Sequence, residues 1–103
     1  MFLRWLKIRR VKREIANLVN ARGIPVRVLK SPLMDVFYIA TGTDRERDAL
    51  RNDYPTLYSQ LCDVLLRVGY KPSSSLPVSF PVESQETVDR DYGGSWSEAM
   101  EMP

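Results

Sequence analysis

The residues best suited to chemistry lie near the carboxyl end, in the stretch DRDYGGSWSE at positions 89–98. Asp89 and Asp91 alternate ahead of Gly94, as do the first ligands of a calcium loop, in which carboxylates converge on the cation. The rest of that pattern is missing, because the fifth position is a glycine and the twelfth, which should be Glu, is Met100. We therefore expect no metal site and no cofactor.

Catalysis has little support in the composition. The chain has no histidine and a single cysteine, Cys62, so imidazole-activated nucleophiles, histidine metal ligands and zinc sites built from cysteines are excluded. Carboxylate pairs such as Glu83 and Glu86 would need burial to separate their pKa values for acid–base work. Their Ser- and Gln-rich surroundings predict solvated side chains instead. We expect a protein that is not an enzyme.

The acidic stretch suits protein recognition better. Residues 83–101 contain six Asp or Glu and one Arg, with two aromatic residues among them. Aromatic side chains are enriched at interface centres, and surrounding carboxylates speed association with a basic partner. The predicted protein-binding residues are Tyr92, Trp96, Asp89, Asp91 and Glu98. The alternative is that the segment folds back onto the chain's own basic helix and needs no partner.

Positive charge is concentrated at the other end. Residues 1–30 contain nine Lys or Arg and one acidic residue, whereas residues 31–103 contain six Lys or Arg and twelve Asp or Glu. The net charge of +2 therefore conceals a strong charge asymmetry along the chain. Such polarity is typical of proteins that bind nucleic acid, acidic lipid or a charged protein. The residues predicted to contact nucleic acid, if that alternative holds, are Arg4, Lys7, Arg9, Arg10, Lys12 and Arg13.

The same basic run is also typical of the solvated face of an ordinary helix. Trp5 and its apolar neighbours beside these cations fit a membrane-surface helix, yet the apolar stripe continues to Val19 and a folded domain must bury such a stripe. We therefore do not expect membrane binding. Arg4 and Lys7 interrupt any signal-peptide core, no apolar run is long enough to span a bilayer, and one cysteine forms no internal disulfide. These features predict a cytoplasmic protein.

The elements that position these residues follow from periodicity and capping patterns. Residues 2–21 predict a helix closed by Gly23, with one apolar face made of Ile8, Val11, Ile15, Leu18 and Val19. Residues 24–30 and 35–41 are rich in β-branched and aromatic side chains and predict a hairpin.

The second half of the chain carries clearer boundaries. Thr43 and Glu46 form a capping-box pattern, so a helix should begin at Asp44. Pro55 then predicts the start of a further helix, which Gly69 should end.

A last strand is predicted in LPVSFPVE, with Val78, Phe80 and Val82 on one face and two prolines that restrict it to a sheet edge. Ser95 and Glu98 form a second capping-box pattern, which predicts a short final helix.

The resulting order, αββααβ, resembles that of the type II KH fold in topology only. KH domains bind nucleotides through a GxxG loop between consecutive helices. The corresponding junction here is LRNDYPTL, which has no glycine. The sequence therefore predicts no KH-type site.

We predict an α+β protein in which two or three helices pack on a small, mainly antiparallel, three-stranded sheet, in the order αββααβ with a possible last helix. Residues 1–82 form the single domain and residues 83–103 an acidic C-terminal segment. The predicted function is a non-enzymatic interaction module, of the inhibitor, immunity or adaptor type, that binds a basic protein through its acidic, aromatic C-terminal surface. The alternative is a nucleic-acid-binding protein that uses the basic N-terminal helix.

Overall fold

The structure, a computed structural model, describes residues 2–32, 34–72 and 77–101. Within these residues the chain forms five helices and three strands rather than the two or three helices predicted. The elements are α1 (Phe2–Asn20), β1 (Val26–Lys30), β2 (Phe37–Thr41), α2 (Asp44–Asn52), α3 (Tyr54–Val68), β3 (Val82–Ser84), α4 (Gln85–Asp91) and α5 (Trp96–Glu101).

The predicted helix boundaries are confirmed by their caps. The Thr43 hydroxyl accepts a hydrogen bond from the backbone N–H of Glu46 at 3.2 Å, and the Glu46 carboxylate accepts one from the N–H of Thr43 at 3.0 Å. Pro55 lies in the first turn of α3, where its missing N–H costs nothing. Gly69 ends α3 with a left-handed φ of 79°, which a side chain would disfavour.

The sheet is mixed, which corrects the prediction of a mainly antiparallel one. β1 pairs with β2 in antiparallel fashion, with Val28 opposite Ile39, whereas β3 runs parallel to β2, with Val82 opposite Ile39. The reason is the crossover, because α2 and α3 return the chain to the start of β2 before β3 begins. β3 lies at a sheet edge, as its prolines predicted.

The last strand is also shorter than predicted. Residue 76, at the start of LPVSFPVE, lies outside the described residues, and Ser79 forms only an isolated bridge with Val36. The predicted inward face is nevertheless confirmed, because Val78, Phe80 and Val82 are all buried. Prolines interrupt the ladder here without abolishing the burial pattern.

One face of the sheet forms the core. Phe37 and Ile39 on β2 are fully buried there, beneath α1 and α3. The helix residues that cover them, also fully buried, are Val11, Ile15, Val19, Leu57, Leu61 and Val64. The apolar stripes of both helices therefore face the sheet, as their periodicity predicted.

α4 is the element that the sequence did not predict. It begins directly after β3, where the Ser84 hydroxyl accepts from the N–H of Thr87 at 3.1 Å, and Thr87 and Val88 are buried. Since the third helical residue is Thr rather than Glu or Gln, no capping-box pattern marked this start. The segment that begins at residue 83 is therefore folded against the domain through α4.

Candidate functional site

The acidic segment is held by α2. The Arg47 guanidinium lies 2.9 Å from the Glu83 carboxylate and 2.7 Å from the Thr87 hydroxyl oxygen. Asp44 accepts hydrogen bonds from the hydroxyls of Ser84 and Thr87 and pairs with Arg90 at 3.2 Å. The described ion pairs of residues 83–91 are thus made with α2 and within the segment, not with the basic helix α1.

Asp44 makes the stability of this junction dependent on pH. Its hydrogen bonds from Ser84 and Thr87, and then Arg90 and Arg47, lower the pKa of the carboxyl to about 2. A lowered folded pKa contributes stability that is present above the unfolded value, near 3.9, and is lost as pH falls toward the folded value. We therefore expect stability to decline between about pH 4 and pH 2.

Urea unfolding at several pH values, for the wild type and for Asp44→Asn, measures this contribution. The variant should be less stable at neutral pH and should lose less further stability on acidification. Asp63→Asn, an exposed carboxyl on α3, is the matched control and should keep the wild-type slope. Identical acid slopes for wild type and Asp44→Asn would contradict the assignment.

A cleft of about 310 Å³ lies between α5 and the outer face of the sheet. Its main lining residues are Tyr38, Arg51, Pro81, Glu83, Tyr92 and Trp96. We call it the aromatic cleft, because three aromatic rings from β2, the α4–α5 turn and α5 meet there. Trp, Tyr and Arg are the residue types that most often carry binding energy at interfaces.

Trp96 is fixed in the aromatic cleft by one glutamine. Its indole N–H donates to Gln85 Oε1 at 2.7 Å, and Arg27 Nη2 donates to the same oxygen at 3.2 Å. The amide nitrogen of Gln85 in turn donates to Asp89 at 2.8 Å. Because Gln85 is held from both sides, the half-buried indole keeps one orientation without a ligand.

The remaining walls come from the sheet and from the turn between α4 and α5. The Tyr38 hydroxyl donates to the carbonyl of Met100 at 3.3 Å and holds α5 against β2. Gly93 and Gly94 have φ values of 59° and 84°, so they reverse the chain and bring Trp96 back over the sheet. The glycine pair therefore forms a turn. Among the described residues, no group of three acidic or cysteine side chains is placed to hold a metal ion.

An ion pair forms one wall of the aromatic cleft. Arg51 donates to the carbonyl oxygen of Val82 at 2.6 Å and lies 3.5 Å from Glu83. Glu83 also contacts Arg47, so its half-buried carboxylate lies between two guanidinium groups. In this wall, Glu83 is held by Arg47, and the exposed side chain of Arg51 faces the cleft.

The five predicted protein-binding residues fall into two groups. Tyr92 and Trp96 line the aromatic cleft together. Asp89, Asp91 and Glu98 are exposed outside its lining, where Asp91 pairs with Arg90 at 3.4 Å.

Sequence reasoning missed Tyr38, Arg51 and Pro81. Tyr38 could have been found from the alternation of side chains along β2. Successive residues of a strand point to opposite faces, so Tyr38 must point outward if Phe37 is buried. No local pattern marked Arg51 or Pro81 as neighbours of the final helix.

The six predicted nucleic-acid-binding residues do not form one free surface. Arg4 donates to the carbonyl of Lys71 at 2.7 Å, and Lys7 donates to that of Gly69 at 3.1 Å. Arg10 pairs with Glu14 at 3.0 Å, and the Arg9 guanidinium lies 5.5 Å from the centre of the Trp5 ring. Within the described chain, Lys12 and Arg13 form no ion pair.

Among the described residues, every helix is too short or too polar to cross a membrane. Comparisons of the chain with known protein families, with curated proteins and with solved structures find no match.

Proposed function

We propose that the protein is a non-enzymatic interaction module whose aromatic cleft receives a basic side chain from a protein partner. The observation that carries this proposal is the indole of Trp96, which Gln85 holds beside Tyr38 and Tyr92 in an open cleft. A rigid aromatic anchor loses little conformational entropy on binding, so its contact energy is available to the complex. An inhibitor, an immunity protein or an adaptor works in this way.

The size of the aromatic cleft favours a single side chain. Its volume of about 310 Å³ is at the lower end of the range for sites that enclose small molecules, which is roughly 300–1,000 Å³. A larger ligand would protrude and would need additional surface.

The chemistry of the aromatic cleft favours arginine or lysine in that position. A guanidinium or ammonium group is attracted to the faces of Trp and Tyr rings, and a guanidinium can also stack on them. Asp91 and Glu98 are exposed nearby and supply a negative field that speeds the approach of a basic partner. The Glu83 carboxylate in the lining is already paired with Arg47 and Arg51, so the attraction for a basic side chain comes from the rings and from the exposed carboxylates.

Selection from a phage-displayed random peptide library tests this proposal without a known partner. We expect the selected peptides to share an Arg or Lys, and their affinity can be measured by calorimetry. Trp96→Ala should weaken binding by about thirtyfold, since a central aromatic anchor contributes about 2 kcal/mol. Trp5→Ala is the matched control and should change the affinity by less than about twofold, because Trp5 lies on α1.

Circular dichroism of Trp96→Ala establishes that the variant is folded before affinities are compared. Trp96→Phe separates the ring from its hydrogen bond, because it keeps an aromatic face and removes the donor to Gln85. Selected peptides that lack basic residues would contradict the charge argument. Peptides that bind Trp96→Ala as tightly as the wild type would remove the aromatic cleft as the site.

A further inference from the structure

The first two turns of α1 carry an unusual concentration of exposed apolar side chains. Leu3 is 70% exposed, Trp5 54% and Leu6 39%. Of the five most exposed large apolar residues in the described chain, three therefore lie within residues 3–6. The buried stripe of α1 does not include them, so the reason for dismissing a membrane-surface helix does not apply to these residues.

Basic side chains continue from Leu6 along the outward side of α1, toward its carboxyl end. Leu6 and Arg13 are seven residues apart and lie on one side of the helix, opposite the buried Ile15. Arg9 and Arg10 are one turn from Leu6 and are both exposed. Glu14, the single acidic residue of α1, forms ion pairs with Arg10 and Arg67.

We propose that the first two turns of α1, together with the outward arginine side that follows them, dock on an anionic lipid surface. Stable attachment of a helix to a bilayer needs two contributions, buried apolar side chains and attraction to acidic headgroups. Leu3, Trp5 and Leu6 supply the first, and Trp is a residue type that favours the membrane interface. Arg9 and Arg13 supply the second, since Arg10 is paired with Glu14.

Charge complementarity distinguishes a membrane from the other possible occupants. A nucleic acid backbone would attract the arginines but would leave three exposed apolar side chains without a role. The described lining of the aromatic cleft contains no residue of α1, so α1 can dock while the cleft remains free. The inference is therefore independent of the proposed function.

The experiment is co-sedimentation of the protein with vesicles of phosphatidylcholine containing about 30% phosphatidylserine, compared with pure phosphatidylcholine. We expect binding to the anionic vesicles that weakens as salt rises, and weak binding to the neutral ones. A Trp96→Phe protein leaves Trp5 as the only indole, and its fluorescence should shift to shorter wavelength as Trp5 enters the interface.

Two variants separate the two contributions. Trp5→Ser combined with Leu6→Ser should lower the partition coefficient at least about tenfold. Arg9→Gln combined with Arg13→Gln should lower the partition coefficient about thirtyfold on anionic vesicles and leave the weak binding to neutral vesicles unchanged. All four residues are exposed, so both proteins should keep the wild-type circular dichroism.

Leu66→Ser is the matched control for the loss of an exposed leucine. Leu66 is 80% exposed on α3 and points about 100° away from Arg67, which faces α1. Its binding should equal that of the wild type.

Three results would overturn the proposal. The first is no binding to anionic vesicles at low salt, and the second is wild-type binding by the Trp5 and Leu6 variant. The third is a gel shift of RNA or DNA by the protein that the arginine substitutions abolish and the Trp5 and Leu6 substitutions do not. That result would assign this surface to nucleic acid.

Discussion

Phe37→Ala is expected to lower the free energy of unfolding by about 3–5 kcal/mol, which is the usual cost of truncating a fully buried Phe. Phe37 is fully buried at the start of β2, the central strand of the mixed sheet. The centre of its ring lies 5.5 Å from that of Tyr70, in an edge-to-face arrangement, and 6.1 Å from that of Phe80, in a stacked arrangement. Removal of the ring leaves a cavity that two large neighbours, on separate elements, cannot close by a shift of one side chain.

Urea denaturation followed by circular dichroism measures this loss, and the slope with denaturant shows whether the unfolded state changes as well. Tyr38→Ala is the matched control, since Tyr38 is the next residue of β2 and points to the opposite face. Its truncation should cost about 1 kcal/mol, because its ring is only half-buried. Equal losses at the two positions would mean that the core does not lie on the face assigned to it.

The local features of the fold could be predicted because each depends on residues within one or two turns of each other. The capping box of Thr43 and Glu46, the helix start at Pro55 and the left-handed stop at Gly69 are all of this kind. The direction of β3 is different, because it depends on where the crossover through α2 and α3 releases the chain. Nothing within LPVSFPVE encodes that direction.

The aromatic cleft was predictable only in part, for the same reason. Tyr92 and Trp96 are close in sequence, and their type alone indicated an interface. Tyr38 and Arg51 join them only after the Gly93–Gly94 turn folds α5 onto the sheet. Glu83 was predicted as a solvated carboxylate because the sequence does not show that Arg47 and Arg51 face it.

Arg4 is the clearest case of a residue whose type suggested one role and whose position indicates another. Its guanidinium lies 3.2 Å from the Asp35 carboxylate, donates to the Tyr70 hydroxyl at 3.0 Å and lies 4.9 Å from the Tyr70 ring centre. Asp35 is only 6% exposed. Burial and the neighbouring carboxylate raise the pKa of Tyr70 to about 12, so the hydroxyl stays protonated as a donor to Asp35.

We therefore expect Arg4→Ala to lower the free energy of unfolding by about 2–3 kcal/mol, because it removes one cation and its hydrogen bonds from the surroundings of a buried carboxylate. This loss is smaller than the roughly 3–5 kcal/mol expected for a fully buried pair, because water reaches the partly exposed arginine. Arg13→Ala should change stability by less than about 0.5 kcal/mol, because Arg13 is exposed and forms no ion pair in the described chain.

Arg4→Lys should fall between these two variants, since an ammonium keeps the charge but cannot contact Asp35, Tyr70 and Lys71 together. Chemical denaturation of the three proteins at neutral pH measures the order. Equal stability of Arg4→Ala and Arg13→Ala would mean that Arg4 contributes no more to folding than an exposed surface arginine does. The expected order instead means that any loss of ligand binding by Arg4→Ala must first be corrected for unfolding, whereas losses at Arg9 and Arg13 report contact directly.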